Sequence, residues 1–161
     1  METRGARPED YDPIIGVVDS WWGRPVSQAL PRLFFDHFWR SSRVAEDEGG
    51  IAGFLVAFVS PSERDLAYVH FVGVRPDCRR SGVARRLYEE FSGYARARGC
   101  RELRAITAPG NTGSIRFHER LSFAVSEPLP GYNGPGREMV IFRRELGGDT
   151  PRPPPRTGDP P

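Results

Sequence analysis

One stretch limits the possible folds more than any other: residues 68–86, with the sequence YVHFVGVRPDCRRSGVARR. Its first seven residues are β-branched, aromatic or small, which favours a strand, and Pro76 ends that strand because proline donates no backbone hydrogen bond. The sequence therefore predicts a strand, a tight loop and a helix in succession. The period of two predicts one strand face carrying Tyr68, His70, Val72 and Val74. The helix follows from the spacing of Ala84, Leu87, Tyr88, Phe91 and Ala95.

The loop between this strand and helix is typical of an anion site. Gly82 and Ala84 put little side-chain bulk over the free N–H groups of the first helical turn. An anion can therefore approach these groups closely, at the positive end of the helix dipole. The preceding Arg79 and Arg80 can bracket the same anion. The alternative interpretation is a solvated basic loop before an ordinary amphipathic helix.

Arg79, Gly82 and Ala84 also occupy the three positions of a longer pattern: Arg or Gln, two residues, Gly, one residue, then Gly or Ala, directly after a strand. This pattern resembles the pyrophosphate-binding motif of the GNAT N-acetyltransferase family. The stretch lacks the Lys-Ser/Thr ending of a P-loop and the three spaced glycines of a dinucleotide site. The resemblance implies that the phosphates belong to coenzyme A, with acetyl-CoA as cosubstrate.

A second pattern follows about 30 residues later. It resembles the family's second motif, an Asn, a small residue at +3, an aromatic pair at +6 and +7, and a closing Gly-Phe. Here the positions are held by Asn111, Ser114, Phe117, His118, Ser122 and Phe123. The spacing of three and four places Asn111, Ser114 and His118 on one helix face. The resemblance covers about residues 3–146.

The second motif departs from the family at the residue that protonates the departing thiolate. The family commonly has a tyrosine there, and this chain has His118. A histidine can donate a proton as imidazolium, although its reference pKa is ~6.5 against ~10 for tyrosine. His118 is the predicted acid, and the alternative is a structural histidine bonded to a backbone carbonyl.

The resemblance also implies roles along the strand and the loop. His70 is the candidate base for the acceptor amine, because the glutamate that some members carry near the position of Tyr68 is missing. Alternatively, no residue serves and the amine arrives neutral. The Val74 N–H is the expected donor to the thioester oxygen. The residues expected to bind the cofactor are Val72, Val74, Arg79, Arg80, Ser81, Gly82, Val83, Ala84, Arg85, Asn111 and Ser114.

Patterning along the rest of the chain gives the order of the elements. Strands are predicted at residues 3–7, 42–47, 51–59, 68–74, 102–107, 123–126 and 138–144, and helices at about 10–22, 31–40, 84–98 and 111–123. This order predicts a mixed α/β fold, with a central, mostly antiparallel mixed sheet and helices on both faces, as in the GNAT fold. The predicted domain spans residues 1–147, and residues 148–161 form a Pro-rich tail without a core.

Composition argues against several classes of protein. No apolar run approaches the ~20 residues that cross a bilayer, and the first residues lack a signal-peptide core, so a cytoplasmic protein without a membrane partner is expected. The net charge of +2 is too small to indicate nucleic acid. Cys78 and Cys100 are expected to be free thiols, and no spacing of His and Cys predicts a metal.

The predicted function is direct transfer of an acetyl group from acetyl-CoA to a primary amine, which could be a small molecule, an amino-acid derivative or a peptide N-terminus. Two other functions stay open: a non-catalytic acyl-CoA-binding module, and an arginine-rich nucleic-acid binder based on residues 75–104. A homodimer is expected from family habit alone. The residues expected to line part of the acceptor pocket are Trp21, Trp22, Phe34, Phe35, His37 and Phe38, and residues 127–137 are the expected lid.

Overall fold

The computed structural model describes residues 1–147, so the predicted tail at 148–161 lies outside the described residues. Seven strands form one sheet in the order β1-β2-β3-β4-β5-β7-β6. The strands are β1 (Glu2–Gly5), β2 (Arg43–Asp47), β3 (Gly50–Val59), β4 (Leu66–Val74), β5 (Glu102–Thr107), β6 (Ala124–Val125) and β7 (Val140–Glu145). Neighbouring strands are antiparallel except β4 and β5, which run parallel.

Four α-helices accompany the sheet: α1 (Tyr11–Trp22), α2 (Leu33–His37), α3 (Val83–Arg96) and α4 (Thr112–Arg120). The predicted order of elements and the fold class are therefore confirmed. Two elements are shorter than predicted, since α2 covers five residues rather than ten and β6 has two. Within residues 1–147, no helix has the length and apolar character that a bilayer crossing requires.

The alternation of β3 divides the interior into two cores. Leu55 and Ala57 face a core built with α3, whereas Phe54 and Val56 face a core built with α1. The α3 side chains in the first core include Leu87, Tyr88 and Phe91, and the α1 side chains in the second include Ile14, Val18 and Trp21. Each face of the sheet is therefore covered by one of these helices, and the sheet lies between two packed layers.

A β-bulge at His70 corrects the predicted facing of β4. Phe71 pairs with Val56 and Val69 pairs with Ala57, so His70 is the extra residue. A bulge shifts the alternation by one residue. Val69 before it and Val72 after it both pack on the α3 side, and Phe71 packs on the α1 side. Tyr68, His70, Val72 and Val74 therefore do not share one face, as simple alternation predicts.

Strands β4 and β5 separate partway along their length. Their parallel pairing joins only residues 66–68 to residues 102–104. Past that point the Arg75 N–H donates to the Ala52 carbonyl on β3, at 2.9 Å. Because backbone groups alternate along an antiparallel strand, the N–H groups of Val72 and Val74 face the opening toward β5. An unpaired strand edge is thus available at this opening.

Candidate active site

Two adjoining cavities follow the opening between β4 and β5. The larger has a volume of about 580 Å³ and extends from the α1–α2 loop, past β4 and β5, to α3 and α4. The smaller, of about 350 Å³, lies over the start of α3. Val74, Ala84 and Phe117 line both cavities. The two volumes therefore form one path that suits an extended ligand with a phosphate group at the α3 end.

The start of α3 has the features of an anion site. Gly82 precedes the helix at φ 87°, a conformation that costs glycine little. Among the described residues, no side chain accepts a hydrogen bond from the first N–H groups of the helix. A Cβ built at Gly82 would meet no atom within 4 Å, so the space over the first N–H groups is open. Arg80 and Arg85 are exposed beside it and line the smaller cavity. Backbone donors and two arginines are therefore available to an anion.

Arg79, the first residue of the motif, has a different use. Its guanidinium donates to the backbone oxygen of Trp21, at the end of α1, and to that of Val74 at 3.4 Å. The side chain thus joins α1 to the end of β4. Ser81 lines neither cavity, and its hydroxyl donates to the Cys78 carbonyl at 2.6 Å. Ser81 is thus the exception among the residues expected to bind the cofactor. All the rest, including Arg79, line one cavity or both.

His118 has hydrogen-bond partners on both ring nitrogens. Nδ1 lies 2.8 Å from the Ser114 carbonyl oxygen, and Nε2 lies 2.8 Å from the Tyr88 hydroxyl. A carbonyl only accepts, so in the neutral ring Nδ1 carries the proton and Nε2 accepts from Tyr88. Burial, with the ring stacked on Phe142 at 3.9 Å between centroids, lowers the pKa of His118 to about 4. His118 is therefore a neutral ring at physiological pH.

Tyr88 is the functional candidate that sequence reasoning missed. The helical pattern predicts only a core residue there, and the side chain is indeed buried, with 1% of its surface exposed. Yet Tyr88 also lines the larger cavity, one helical turn beyond Ala84. Burial raises the pKa of its hydroxyl well above the usual value, so the group keeps its proton. The available signal was a tyrosine in an apolar stripe, because a buried hydroxyl needs a hydrogen-bond partner.

His70 lines the larger cavity from the bulge in β4. Its Nε2 lies 2.6 Å from the Ala29 carbonyl oxygen, and the ring stacks on Phe34 with centroids 4.0 Å apart. Because the carbonyl accepts, Nε2 carries the proton of the neutral ring, and Nδ1 keeps a lone pair. Desolvation by burial lowers the pKa of His70. The residue therefore has the form of a neutral base with a fixed tautomer.

The remaining candidates have mainly supporting positions. The Asn111 side chain caps α4 by accepting from the Ser114 N–H at 3.2 Å, and both residues line the larger cavity. Of the aromatic residues expected in the acceptor pocket, Trp22 lines it, whereas Trp21 and Phe35 are buried in the α1-side core. The other three, Phe34, His37 and Phe38, are not among its lining residues.

Neither cysteine lines the larger cavity. Cys78 and Cys100 are both free and buried, and burial raises the pKa of both thiols. Cys78 lines the smaller cavity beside the start of α3, away from His70 and Tyr88. No cluster of three or more potential metal ligands occurs among residues 1–147.

Known acetyltransferases are similar in sequence to most of this chain. The sequence pattern of the Acetyltransferase (GNAT) family matches residues 14–123. An L-methionine sulfoximine/L-methionine sulfone acetyltransferase from Pseudomonas aeruginosa is 30% identical over 127 residues, which cover 74% of each protein. An L-2,4-diaminobutyric acid acetyltransferase from Vibrio parahaemolyticus is 37% identical over 109 residues, covering 68% of this chain and 56% of that protein. An aminoglycoside N(6')-acetyltransferase type 1 from Salmonella typhimurium is 32% identical over 122 residues, covering 70% and 83% respectively.

The chain spans about half the length of some curated relatives. It covers 56% of the Vibrio protein and 49% of an uncharacterized N-acetyltransferase from Methanocaldococcus jannaschii. The activities of these longer proteins can therefore be proposed for this chain but are not established by the similarity.

Solved structures share the fold at low sequence identity. An acetyltransferase of the GNAT family from Desulfovibrio desulfuricans matches with a TM-score of 0.78 at 22% identity, covering 91% of this chain and 99% of that one. An acetyltransferase from Salmonella typhimurium, solved with its cofactor acetyl-CoA, matches with a TM-score of 0.71 at 20% identity, covering 96% and 98%. Because the family pattern covers residues 14–123 and the named relatives are acetyltransferases, the chain belongs to the GNAT family of acetyltransferases.

Proposed function

We propose that this protein transfers an acetyl group from acetyl-CoA directly to a primary amine. The observation that carries the proposal is the pair of adjoining cavities, which leads from the uncapped start of α3 along the open edge of β4 to His70 and Tyr88. A diphosphate fits the first position, an extended amide chain the second, and a thioester with an incoming amine the third. Relatives named for acetylating amino-acid derivatives and aminoglycosides support an amine acceptor.

The chain has groups suited to hold the donor in place. The N–H groups at the start of α3, with Arg80 and Arg85, would bind the diphosphate. The open edge of β4 at Val72 would pair with the amide groups of the pantetheine arm. The Val74 N–H would donate to the thioester oxygen, where negative charge develops as the amine attacks.

His70 is the proposed base. Its Nδ1 lone pair would take a proton from the attacking amine, so that the nitrogen forms its bond to the carbonyl carbon without keeping a positive charge. The Ala29 carbonyl, 2.6 Å from Nε2, would stabilise the imidazolium that results. The stack on Phe34 holds the ring in the required orientation.

Protonation of the leaving thiolate is assigned to Tyr88, with His118 as the residue that orients the Tyr88 hydroxyl. When the C–S bond breaks, its electron pair goes to sulfur, and the Tyr88 hydroxyl would turn its single proton away from His118 Nε2 and give it to the sulfur. His118 would orient this hydroxyl through Nε2, because its own proton on Nδ1 is held by the Ser114 carbonyl. The prediction that His118 is itself the acid stands as the alternative, and it requires the ring to leave one of these bonds.

The function is tested by assaying CoA release from acetyl-CoA with a panel of primary amines, including amino-acid derivatives, peptides with free N-termini and aminoglycosides. We expect turnover with at least one class. The non-catalytic alternative predicts tight CoA binding and no turnover with any amine. A cytoplasmic location, consistent with two free thiols, and a homodimer belong to the proposal, and sedimentation tests the latter.

Gly82→Glu is expected to abolish measurable acetyl-CoA binding in a folded protein. The added carboxylate would occupy the open space over the first N–H groups of α3 and repel the diphosphate. Calorimetric titration measures the loss. Gly82→Ala carries the same strain at positive φ with little bulk, and it should keep most of the affinity. Equal affinity in the wild type and the folded Gly82→Glu variant would show that the diphosphate does not bind at the start of α3.

Replacement of both cysteines, Cys78→Ser with Cys100→Ser, is expected to leave kcat within about twofold of the wild type. Neither thiol lines the larger cavity, so no acetyl-cysteine intermediate is part of the route. Intersecting double-reciprocal lines in acetyl-CoA and amine should accompany this result. Parallel lines, or a folded double variant without activity, would establish a ping-pong reaction through a cysteine instead.

A further inference from the structure

Within the described part of the chain, the lining of the larger cavity carries one positive charge and no negative one. Among the described residues that line it, Arg24 is the one arginine, and none is an aspartate or a glutamate. The two histidines in its wall have pKa values lowered by burial, so both rings are neutral near pH 7. A cationic substituent on the acceptor would find no carboxylate partner here.

Arg24 is presented by a loop that hydrogen bonds hold in place. The Asp19 carboxylate on α1 accepts the backbone N–H groups of Val26 and Ser27, each at 2.7 Å. Farther along the loop, the Ala29 carbonyl is fixed by His70. The loop is therefore tied to α1 and to the proposed base. These bonds fix the loop backbone that presents Arg24 at the cavity wall.

We propose that the physiological acceptor carries a carboxylate in addition to its amine, and that Arg24 binds this carboxylate. The inference rests on the proposed function and narrows its substrate class to amino acids and their derivatives. A guanidinium offers paired N–H donors that match a carboxylate, and this orients the amine as well as holding it. An aminoglycoside would instead bring several ammonium groups past Arg24 into a cavity without a counter-charge, at a cost in desolvation.

The test compares matched acceptors that differ in the acidic group. L-Methionine sulfoximine is paired with its methyl ester, and L-2,4-diaminobutyric acid is paired with 1,3-diaminopropane, which lacks the carboxylate. We expect the acid of at least one pair to exceed its partner in kcat/KM by about tenfold or more. Arg24→Gln should raise KM for that acid about tenfold while kcat is kept. Arg40→Gln removes the same charge from an exposed position that does not line the cavity, and it should change neither constant.

Calorimetric titration of the protein–CoA complex with the same pairs reports recognition without turnover. Stronger binding of the acid, lost in Arg24→Gln, supports the inference even if neither pair is acetylated. Equal binding of acid and partner, or a preference for the aminoglycoside kanamycin, overturns it and leaves the proposed acetyl transfer intact. Absence of turnover with every amine of the wider panel, in a protein that binds acetyl-CoA, would overturn the proposed function instead.

Discussion

Tyr88→Phe is expected to lower kcat by roughly 10²- to 10³-fold, the usual effect of removing a hydrogen-bond donor from charge that develops in the transition state. The dissociation constant for acetyl-CoA should change little, because Tyr88 lines the larger cavity and not the smaller one over the start of α3. Phenylalanine keeps the ring that packs in the α3-side core, so the protein should still fold. Steady-state kinetics with calorimetry separates the two constants.

Tyr94→Phe is the matched control for this variant. Tyr94 lies on the same helix, contacts Arg98 through its ring, and does not line the larger cavity. Its loss of a hydroxyl should leave kcat unchanged. Wild-type turnover in a folded Tyr88→Phe protein would remove Tyr88 from the reaction.

A double-mutant cycle distinguishes the residue that protonates the leaving thiolate from the residue that only orients it. If His118 acts by orienting the Tyr88 hydroxyl, then His118→Ala in the Tyr88→Phe background should cost far less than in the wild type. If His118 is itself the acid, His118→Ala should retain its full effect in that background, and His118→Tyr should recover part of the rate. The cycle thus separates an acid from a positioning residue without relying on either variant alone.

The two motifs were predictable because their requirements are local. A small residue at the start of a helix, a positive φ at Gly82 and an N-cap at Asn111 are each set by a few neighbouring residues. These local rules were sufficient to predict the loop before α3 and the helix α4, and to identify the family.

The features that sequence reasoning missed depend on contacts between distant residues. The bulge at His70 is a property of the register between β4 and β3, which the alternation of β4 alone does not reveal. The hydrogen bond from Tyr88 to His118 joins two helices 30 residues apart in sequence. The aromatic residues of α2 were assigned to the acceptor pocket from their family position, but Phe35 is used in the α1-side core.

His70→Gln is expected to lower kcat/KM by roughly 10²- to 10⁴-fold, the range typical of general base catalysis. The glutamine amide can still donate to the Ala29 carbonyl, so the loop that carries Arg24 should stay in place. His37→Gln is the matched control, because His37 is exposed on α2 and does not line the larger cavity. It should behave like the wild type.

The pH profile gives the same prediction a second readout. A base works when it is unprotonated, so activity falls as the pH drops through its pKa. Burial lowers the pKa of His70, so the acidic limb of kcat/KM should lie below the ordinary histidine value of ~6.5 and should vanish in His70→Gln. The alternative, in which the amine arrives neutral and no residue serves, predicts a limb that follows the pKa of each acceptor amine. Acceptors of different amine pKa, assayed with both proteins, therefore identify which group loses the proton.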